Sequence, residues 1–357
     1  MNHNIKTLVI LSPGFPKDES DTTCLTSQQI FVSALNRNFP ALKIIILSFQ
    51  YPFSTSSYSW HGNNVIPFNG MKKGIIPRVL LWCRVWRTLN SVKKDSDVVG
   101  LLSFWCGECA FIGKWFGTRN NLEHFTWITG QDAREGNKYI PFIRPQPHEL
   151  IAMSDFLSGE FHKNYAVKPL HVIPNGIDIS LFPKQNSEKD IAILGVGSLI
   201  PLKQYDVFVN VVKGVLEKIP DATAILCGKG LQEMELQKLI AQLMLQNNII
   251  LTGELSHQKI LQLMQRAKIF LHTSNYEGFS TVCLEAMYAG CHVISFIKPM
   301  QHDIDHWHIV HTKEEMVMKA IALLGSGTEY TSVLPYTMDD STKSVMQLFN
   351  YKEAATS

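Results

Sequence analysis

Ile269-Phe-Leu-His272-Thr-Ser-Asn-Tyr-Glu277-Gly-Phe-Ser280-Thr-Val-Cys-Leu-Glu285-Ala-Met-Tyr-Ala-Gly290-Cys-His292-Val-Ile-Ser295 carries two strand-like runs around one helical segment. The runs Ile269–His272 and His292–Ser295 are short and continuous rather than alternating, as in strands buried on both faces of a parallel sheet. Between them Thr281–Ala289 reads as a helix, with Ser280 or Thr281 as N-cap and Gly290 as C-cap. Glu277 then falls in the loop at a strand's carboxyl end, and Glu285 in an early turn of the helix. Backbone N–H groups at such a helix start favour an anion such as phosphate. Carboxylates beside that anion accept hydrogen bonds from hydroxyls, and phosphate flanked by hydroxyls is how a sugar nucleotide is built.

The pattern extends outward in both directions. Ile191–Val196, Ala222–Cys227 and Ile249–Thr252 read as further strands, with helices near Tyr205–Lys218, Gln232–Leu245 and His257–Arg266. Such an alternation of strand and helix implies a doubly wound Rossmann-like domain. The first half repeats the logic with runs at Thr7–Leu11, Lys43–Ser48, Val98–Phe104, His124–Thr129, Leu150–Met153 and His171–Ile173, and a helical pattern from Thr26 to Asn36. The expected class is α/β: two Rossmann-like domains, 1–178 and 179–335, facing each other across a cleft. Residues 336–357 are expected to pack back on the N-terminal domain, and the Pro174-Asn-Gly176 turn and the polar Pro183–Asp190 stretch to mark a linker.

Glu277 and Glu285, with seven residues between them, resemble the E-x7-E motif of family 4 retaining glycosyltransferases of the GT-B fold. Ile173-Pro-Asn-Gly-Ile-Asp178 and Gly195-Val-Gly-Ser-Leu-Ile-Pro-Leu-Lys203 match in the same order. The resemblance implies that Glu277 holds donor-sugar hydroxyls, with the backbone of Gly278, Phe279, Ser280 and Thr281 around the diphosphate and sugar. It implies that Glu285 accepts from the ribose, that Lys203 neutralises the diphosphate, and that the loop Gly253–Leu255 borders the nucleobase. Gly14 would let backbone approach the donor from the other domain. The chain departs from the family pattern at Ser198, where an Arg is usual nearby. It departs also at Thr129-Gly-Gln-Asp132, where His-Gly-x-Asp is common, and in having Gly14 alone instead of a Gly-Gly doublet. The resemblance implies no metal and no cofactor. Its partners would be a nucleotide diphosphate sugar, with a UDP-sugar favoured, and a glycan or lipid-linked acceptor. A catalytically weakened protein of the same fold, binding a nucleotide sugar or a partner, is the second reading.

Three other features compete for a role. Cys106 and Cys109 flank a predicted helix start, where a redox pair would have a lowered thiol pKa, but the region lacks the strand order and hairpin of a thioredoxin domain, so strand–helix packing at the cleft is expected. His302, Asp303, Asp305, His306, His308 and His311 are metal-capable, but their spacing fits no standard zinc pattern, so a solvated loop is expected. Residues Lys72 to Lys94 combine seven cations with Trp82 and Trp86. With Leu81, Val85, Leu89 and Val92 on one stripe, this helix either packs on the core or lies on an anionic membrane surface.

Composition sets the outer limits. With 357 residues, 45% hydrophobic, the chain has apolar surface for two cores, and disorder is excluded as its main state. A net charge of +2 excludes a strongly basic nucleic-acid binder. Residues 1–180 hold 18 basic and 13 acidic side chains, the remainder 15 and 18, so the first half is the one suited to an anionic surface. Seven scattered cysteines, and no apolar run long enough for a signal or a membrane span, point to a reducing cytosol, with at most peripheral contact at the inner membrane face.

Overall fold

The computed structural model describes residues 5–71, 74–184, 188–325 and 327–352. The chain folds as two units, Met1–Gly176 together with Met338–Ser357, and Ile177–Thr337.

In the first unit the strands are β1 (Lys6–Gly14), β2 (Lys43–Tyr51), β3 (Tyr58–Trp60), β4 (Asn63–Pro67), β5 (Asp97–Phe104), β6 (His124–Ile128), β7 (Leu150–Ala152) and β8 (His171–Val172). They form one sheet in the order β3-β4-β2-β1-β5-β6-β7-β8, parallel except for the β3–β4 hairpin. Leu8, Val9, Ile10 and Leu11 of β1 are all fully buried, which is why this strand reads as an unbroken apolar run. The helices are α1 (Thr26–Asn38), α2 (Ile75–Asp95), α3 (Glu108–Asn120), α4 (Gly130–Ala133), α5 (Ile140–Ile143) and α6 (Asp155–Tyr165).

The second unit has strands β9 (Ile191–Val196), β10 (Ala224–Cys227), β11 (Ile249–Gly253), β12 (Ala267–His272), β13 (His292–Ser295) and β14 (Trp307–Ile309). Their order is β11-β10-β9-β12-β13-β14, all parallel. Helices α7 (Tyr205–Leu216), α8 (Glu233–Gln242), α9 (His257–Arg266), α10 (Thr281–Tyr288) and α11 (Lys313–Leu324) connect and flank them. The valine-rich α7 has modest helix propensity. It is held by burial of Phe208, Val209, Val211, Val212 and Val215, each contributing about 1.5–3 kcal/mol if fully transferred from water. Gly214 lets α11 come close, because a Cβ there would stand 2.9 Å from the Val317 side chain.

The last helix, α12 (Met338–Leu348), returns to the first unit and packs on α1. Arg37 pairs with Asp339 at 2.6 Å, and Asn38 Nδ2 donates to the same carboxylate at 2.7 Å.

Several expectations are corrected. Of the expected linker, the Pro174–Gly176 turn falls where the chain passes from one unit to the next, but Pro183–Asp190 does not. Its described residues lie inside the second one, where Lys189 Nζ donates to the carbonyls of Ala267 (2.7 Å) and Ala289 (2.8 Å), and Asp190 pairs with Arg266 at 2.5 Å. Residues 185–187 of that stretch lie outside the described residues. The second sheet has a sixth strand, β14, and the first has the β3–β4 hairpin. On α2, Leu81, Val85, Leu89 and Val92 are buried on one stripe. Trp82 and Trp86, however, turn toward α3, against Phe111 and Phe116, both with ring centroids 5.1 Å apart. Neither indole is presented as a lipid anchor, and Lys72 and Lys73 lie outside the described residues. No helix among the described residues is long and apolar enough to cross a membrane.

Candidate functional site

Lys203, Glu277 and Glu285, the side chains singled out in the second unit, gather at the carboxyl edge of its sheet. Loops after β9, β10 and β11 are stitched together there by backbone: Gly197 N–H donates to Cys227 at 3.0 Å, Leu199 N–H to Lys229 at 3.0 Å, and Gly228 N–H to Gly253 at 2.9 Å. Only glycine suits position 228, where φ is +152° and a Cβ would run into the Gly197 carbonyl. This close stacking fixes the loop that carries Ser198 and Lys203. Ser198 is exposed and Leu255, beyond Gly253, is half-buried.

Lys203 ends a short 3-10 turn, Pro201–Lys203, and Gln204 turns the chain through a left-handed conformation (φ 48°) into α7. Thr273 Oγ1 at the end of β12 donates to the Lys203 carbonyl at 2.6 Å, tying the two strand ends together. The Lys203 ammonium donates to Glu277 Oε2, both side chains being largely but not wholly shielded. Burial pushes the Glu277 carboxyl up, but His272 and the Lys203 ammonium outweigh it and hold the pKa down, to about 2. His272 Nε2 lies 3.6 Å from the same oxygen, beyond hydrogen-bond reach. Both its ring nitrogens are buried without a hydrogen-bond partner, and burial pushes its pKa down.

Glu277 precedes α10. Ser280 occupies the N-cap in an extended conformation, with no side-chain bond to the helix start. Gly278, Phe279 and Thr281 surround this start. The Phe279 side chain is turned into the interior, stacked on Trp307 at 6.1 Å and edge-on to Tyr336 at 5.7 Å. Its backbone is thus the part left to serve the site. Glu285, 5% exposed, sits one turn into α10. Its Oε1 is 2.7 Å from Nε2 of His257, the first residue of α9. The hydrogen bond to Glu285 is the main cause of a raised His257 pKa, acting against burial. His257 and His272 were not singled out from the sequence. Each meets its carboxylate only through the sheet, and the nearest local signal is a histidine directly at a helix start or strand end.

Gly14 lies in the first unit, at the end of β1. Thr129 there caps α4, with its N–H and Oγ1 on Asp132 Oδ2 at 2.7 and 3.1 Å.

The competing features fare differently. Cys106 and Cys109 are buried, and burial raises both thiols well above their ordinary pKa, the opposite of what a redox pair requires. In the histidine-rich stretch His302 meets the Tyr336 hydroxyl at 2.9 Å and Asp303 pairs with Lys298 at 2.6 Å. His302, Asp303, Asp305 and His311 are exposed, while the half-buried His306 and His308 lie beside the His292 ring, with centroids 4.0 and 5.2 Å from it. Among the described residues no three His, Cys, Asp or Glu side chains converge as metal ligands do.

Residues 178–319 match the protein-family model described as Glycosyl transferases group 1. The chain is similar to the phosphatidylinositol N-acetylglucosaminyltransferase gpi3 subunit of Schizosaccharomyces pombe, 25% identical over 57% of this chain and 47% of that one. It is also similar to the GDP-mannose:cellobiosyl-diphosphopolyprenol alpha-mannosyltransferase of Xanthomonas campestris, 31% identical over 40% of this chain and 38% of that one. The chain thus spans less than half the length of the curated relatives it matches. Among solved structures, Anabaena HepE in complex with UDP and glucose aligns with a TM-score of 0.64 at 16% identity, covering 97% of this chain and 95% of that one. Sucrose-phosphate synthase from Thermosynechococcus elongatus aligns at 0.66 and 15%, covering 97% and 96%. The fold is GT-B, two Rossmann-like α/β domains, and the chain is similar to family 4 glycosyltransferases.

Proposed function

From the premise that residues 178–319 form a glycosyl transferases group 1 domain, we propose that the protein is a retaining glycosyltransferase. It moves a sugar from a nucleotide diphosphate sugar to an acceptor hydroxyl in the assembly of a bacterial polysaccharide or glycoconjugate. The observation that carries this reading is the meeting of the Lys203 ammonium and the Glu277 carboxylate beside the start of α10. A cation beside the positive end of a helix suits a diphosphate. A carboxylate kept ionised beside them suits sugar hydroxyls.

On donor binding the diphosphate takes over Lys203, and Glu277 is released to accept from the sugar. Glu285, held by His257, is placed for the ribose, and Leu255 and its loop for the base. As the glycosidic bond breaks, negative charge grows on the departing diphosphate, and Lys203 with the α10 N–H groups stabilises it. Glu277 positions the sugar and does not attack it. A UDP-sugar is favoured, in line with the UDP bound by HepE. No metal or cofactor enters this scheme.

A second reading, binding without efficient turnover, is favoured by Ser198, which supplies no cation, and by Thr129, which is spent on capping Asp132. The test is a panel of UDP- and GDP-sugars offered to the purified protein, read by thermal shift and by hydrolysis or transfer. Nucleotide-dependent stabilisation with turnover supports the transferase. Stabilisation without turnover over a broad acceptor panel supports the second reading, and no response to any nucleotide sinks both.

The acceptor is a glycan or a lipid-linked glycan, and the protein works in the cytosol at the inner membrane face. The support is the start of α2, where Ile75, Ile76, Val79 and Leu80 are exposed. The helix carries Arg78, Arg84, Arg87, Lys93 and Lys94 against a single acid, Asp95. An apolar turn among cations fits an anionic lipid surface. Flotation with vesicles containing phosphatidylglycerol should recover the wild type, and Ile76→Ser/Leu80→Ser should abolish recovery. Equal flotation of both, or of neither, would remove this contact.

A further inference from the structure

The imidazole of His272 lies at the end of β12, 4% exposed, and among the described residues neither of its ring nitrogens has a hydrogen-bond partner. Ile269 and Leu271 of the same strand pack into the core with α7 and α11. The alternation of the strand therefore turns His272 to the opposite face, where Glu277 meets it. A buried polar ring without a partner costs stability, and an apolar side chain of similar size would serve the strand better. The neighbour that gives the ring a use is Glu277. Among the described residues, Lys203 and His272 are the basic side chains that approach its carboxylate, and both approach Oε2. Lys203 bonds this oxygen, while His272 Nε2 stands off at 3.6 Å.

We propose that His272 is a positioning residue: when a diphosphate draws Lys203 away, the His272 Nε2–H takes the Glu277 carboxylate and holds it toward the donor sugar. The exchange of partners is a property of the site by itself, whereas its use in orienting a sugar rests on the transferase reading.

The chemistry of the two partners makes the exchange workable. Burial pushes the His272 pKa down, so the ring is neutral and carries a single proton. No partner fixes that proton at Nδ1, which leaves the Nε2–H tautomer open. A carboxylate movement of less than about 1 Å brings the pair to hydrogen-bond distance. Thr273 Oγ1 holds the Lys203 backbone carbonyl at 2.6 Å, so the ammonium can swing to the phosphates without the loop. Without His272, its departure would leave an ionised and largely shielded carboxylate with no basic partner, which opposes donor binding. With His272, Oε2 is occupied by the imidazole and Oε1 is left for the sugar hydroxyls. A neutral ring also holds the carboxylate without competing for the diphosphate or repelling Lys203.

Nitrogen-15 NMR of the full chain reads the exchange directly, with the His272 ring resonances assigned by their loss in His272→Leu. The ring proton is expected on Nε2, and it should move downfield when UDP or GDP is added. In nucleotide-free Lys203→Ala the same shift should already be present, and in Lys203→Ala/Glu277→Ala it should be absent. Binding reads the function, with UDP-glucose, UDP-N-acetylglucosamine and GDP-mannose as probes. His272→Leu should fold with an unchanged or higher Tm, since no bond is lost. It should bind the tightest of these donors roughly 10-fold more weakly, the size of one hydrogen bond to a charged group, while affinity for UDP or GDP alone changes less. His272→Gln, whose amide nitrogen stands in for Nε2, should recover part of the loss, which a packing role alone would not allow. A ring proton unshifted in Lys203→Ala, or equal donor affinity in wild type and His272→Leu, would overturn the role. A wild type that binds no nucleotide, while Lys203→Ala still shows the shift, would support the exchange and remove the transferase reading alone.

Discussion

Lys203 and Glu277, 74 residues apart in the chain, form an ion pair through Glu277 Oε2 beside the first turn of α10. One strand end supplies the cation and another the carboxylate, and Thr273 bonds the two strand ends directly. The pairing keeps Glu277 ionised, and it must open for a diphosphate to reach the ammonium.

Lys203→Ala should weaken binding of UDP and GDP by roughly 10- to 100-fold, the size of a lost charge-assisted hydrogen bond of about 1.5–3 kcal/mol. It also leaves the Glu277 charge uncompensated beside the incoming phosphates. Lys203→Arg should recover part of the loss. Isothermal titration with each nucleotide measures both effects, and equal affinity in wild type and Lys203→Ala would exclude the assigned role.

The His257–Glu285 pair predicts a pH dependence of stability. His257 has a folded pKa raised above its ordinary 6.5, so the folded state binds the proton more tightly than the unfolded chain. The pair's contribution is full below about pH 6.5 and fades as pH rises through the folded value. His257→Gln keeps a donor without the charge. The Tm difference between wild type and this variant should be larger at pH 6 than at pH 9, and a constant difference across that range would contradict the pairing.

Gly228→Ala should destabilise the second unit by about 2–3 kcal/mol, since a Cβ would meet the Gly197 carbonyl and the backbone stands at φ +152°. Nucleotide binding should fall with it, because the displaced loop carries Lys203. Chemical denaturation followed by titration of the still-folded protein separates the two effects.

Much of this was legible in the sequence for a simple reason. Strands buried on both faces are apolar without interruption, so Ile191–Val196 and Ile269–His272 declare themselves, and Glu277 and Glu285 lie in one local pattern around a helix start. Strands at or next to a sheet edge can lack that signature: Tyr58–Trp60, Asn63–Pro67 and Trp307–Ile309 are short and partly polar, and the sequence does not announce them. His257 and His272 gain their meaning only from carboxylates brought to them by the sheet, which no local spacing announces. The same holds in reverse for Cys106 and Cys109, whose spacing suggested reactivity and whose burial removes it.

That burial makes a direct prediction about thiol chemistry. With the native protein a thiol reagent should modify the exposed Cys83 rapidly, whereas Cys106 and Cys109 should react only after unfolding. Mass spectrometry of the modified peptides distinguishes the sites. Rapid native labelling of Cys106 or Cys109, or a disulfide between them under mild oxidation, would restore the redox alternative.

The central claim, that the second unit binds a nucleotide diphosphate sugar through Lys203, Glu277 and Glu285, is tested most directly by titrating the protein with UDP-sugars and GDP-sugars while monitoring release of free nucleotide. The account predicts saturable binding of at least one donor and slow release of its nucleotide. It predicts also that Lys203→Ala loses the affinity, and that Glu277→Gln retains nucleotide binding but loses discrimination between sugars. Absence of binding to every donor, or full binding and release in Lys203→Ala and Glu277→Gln alike, would contradict it.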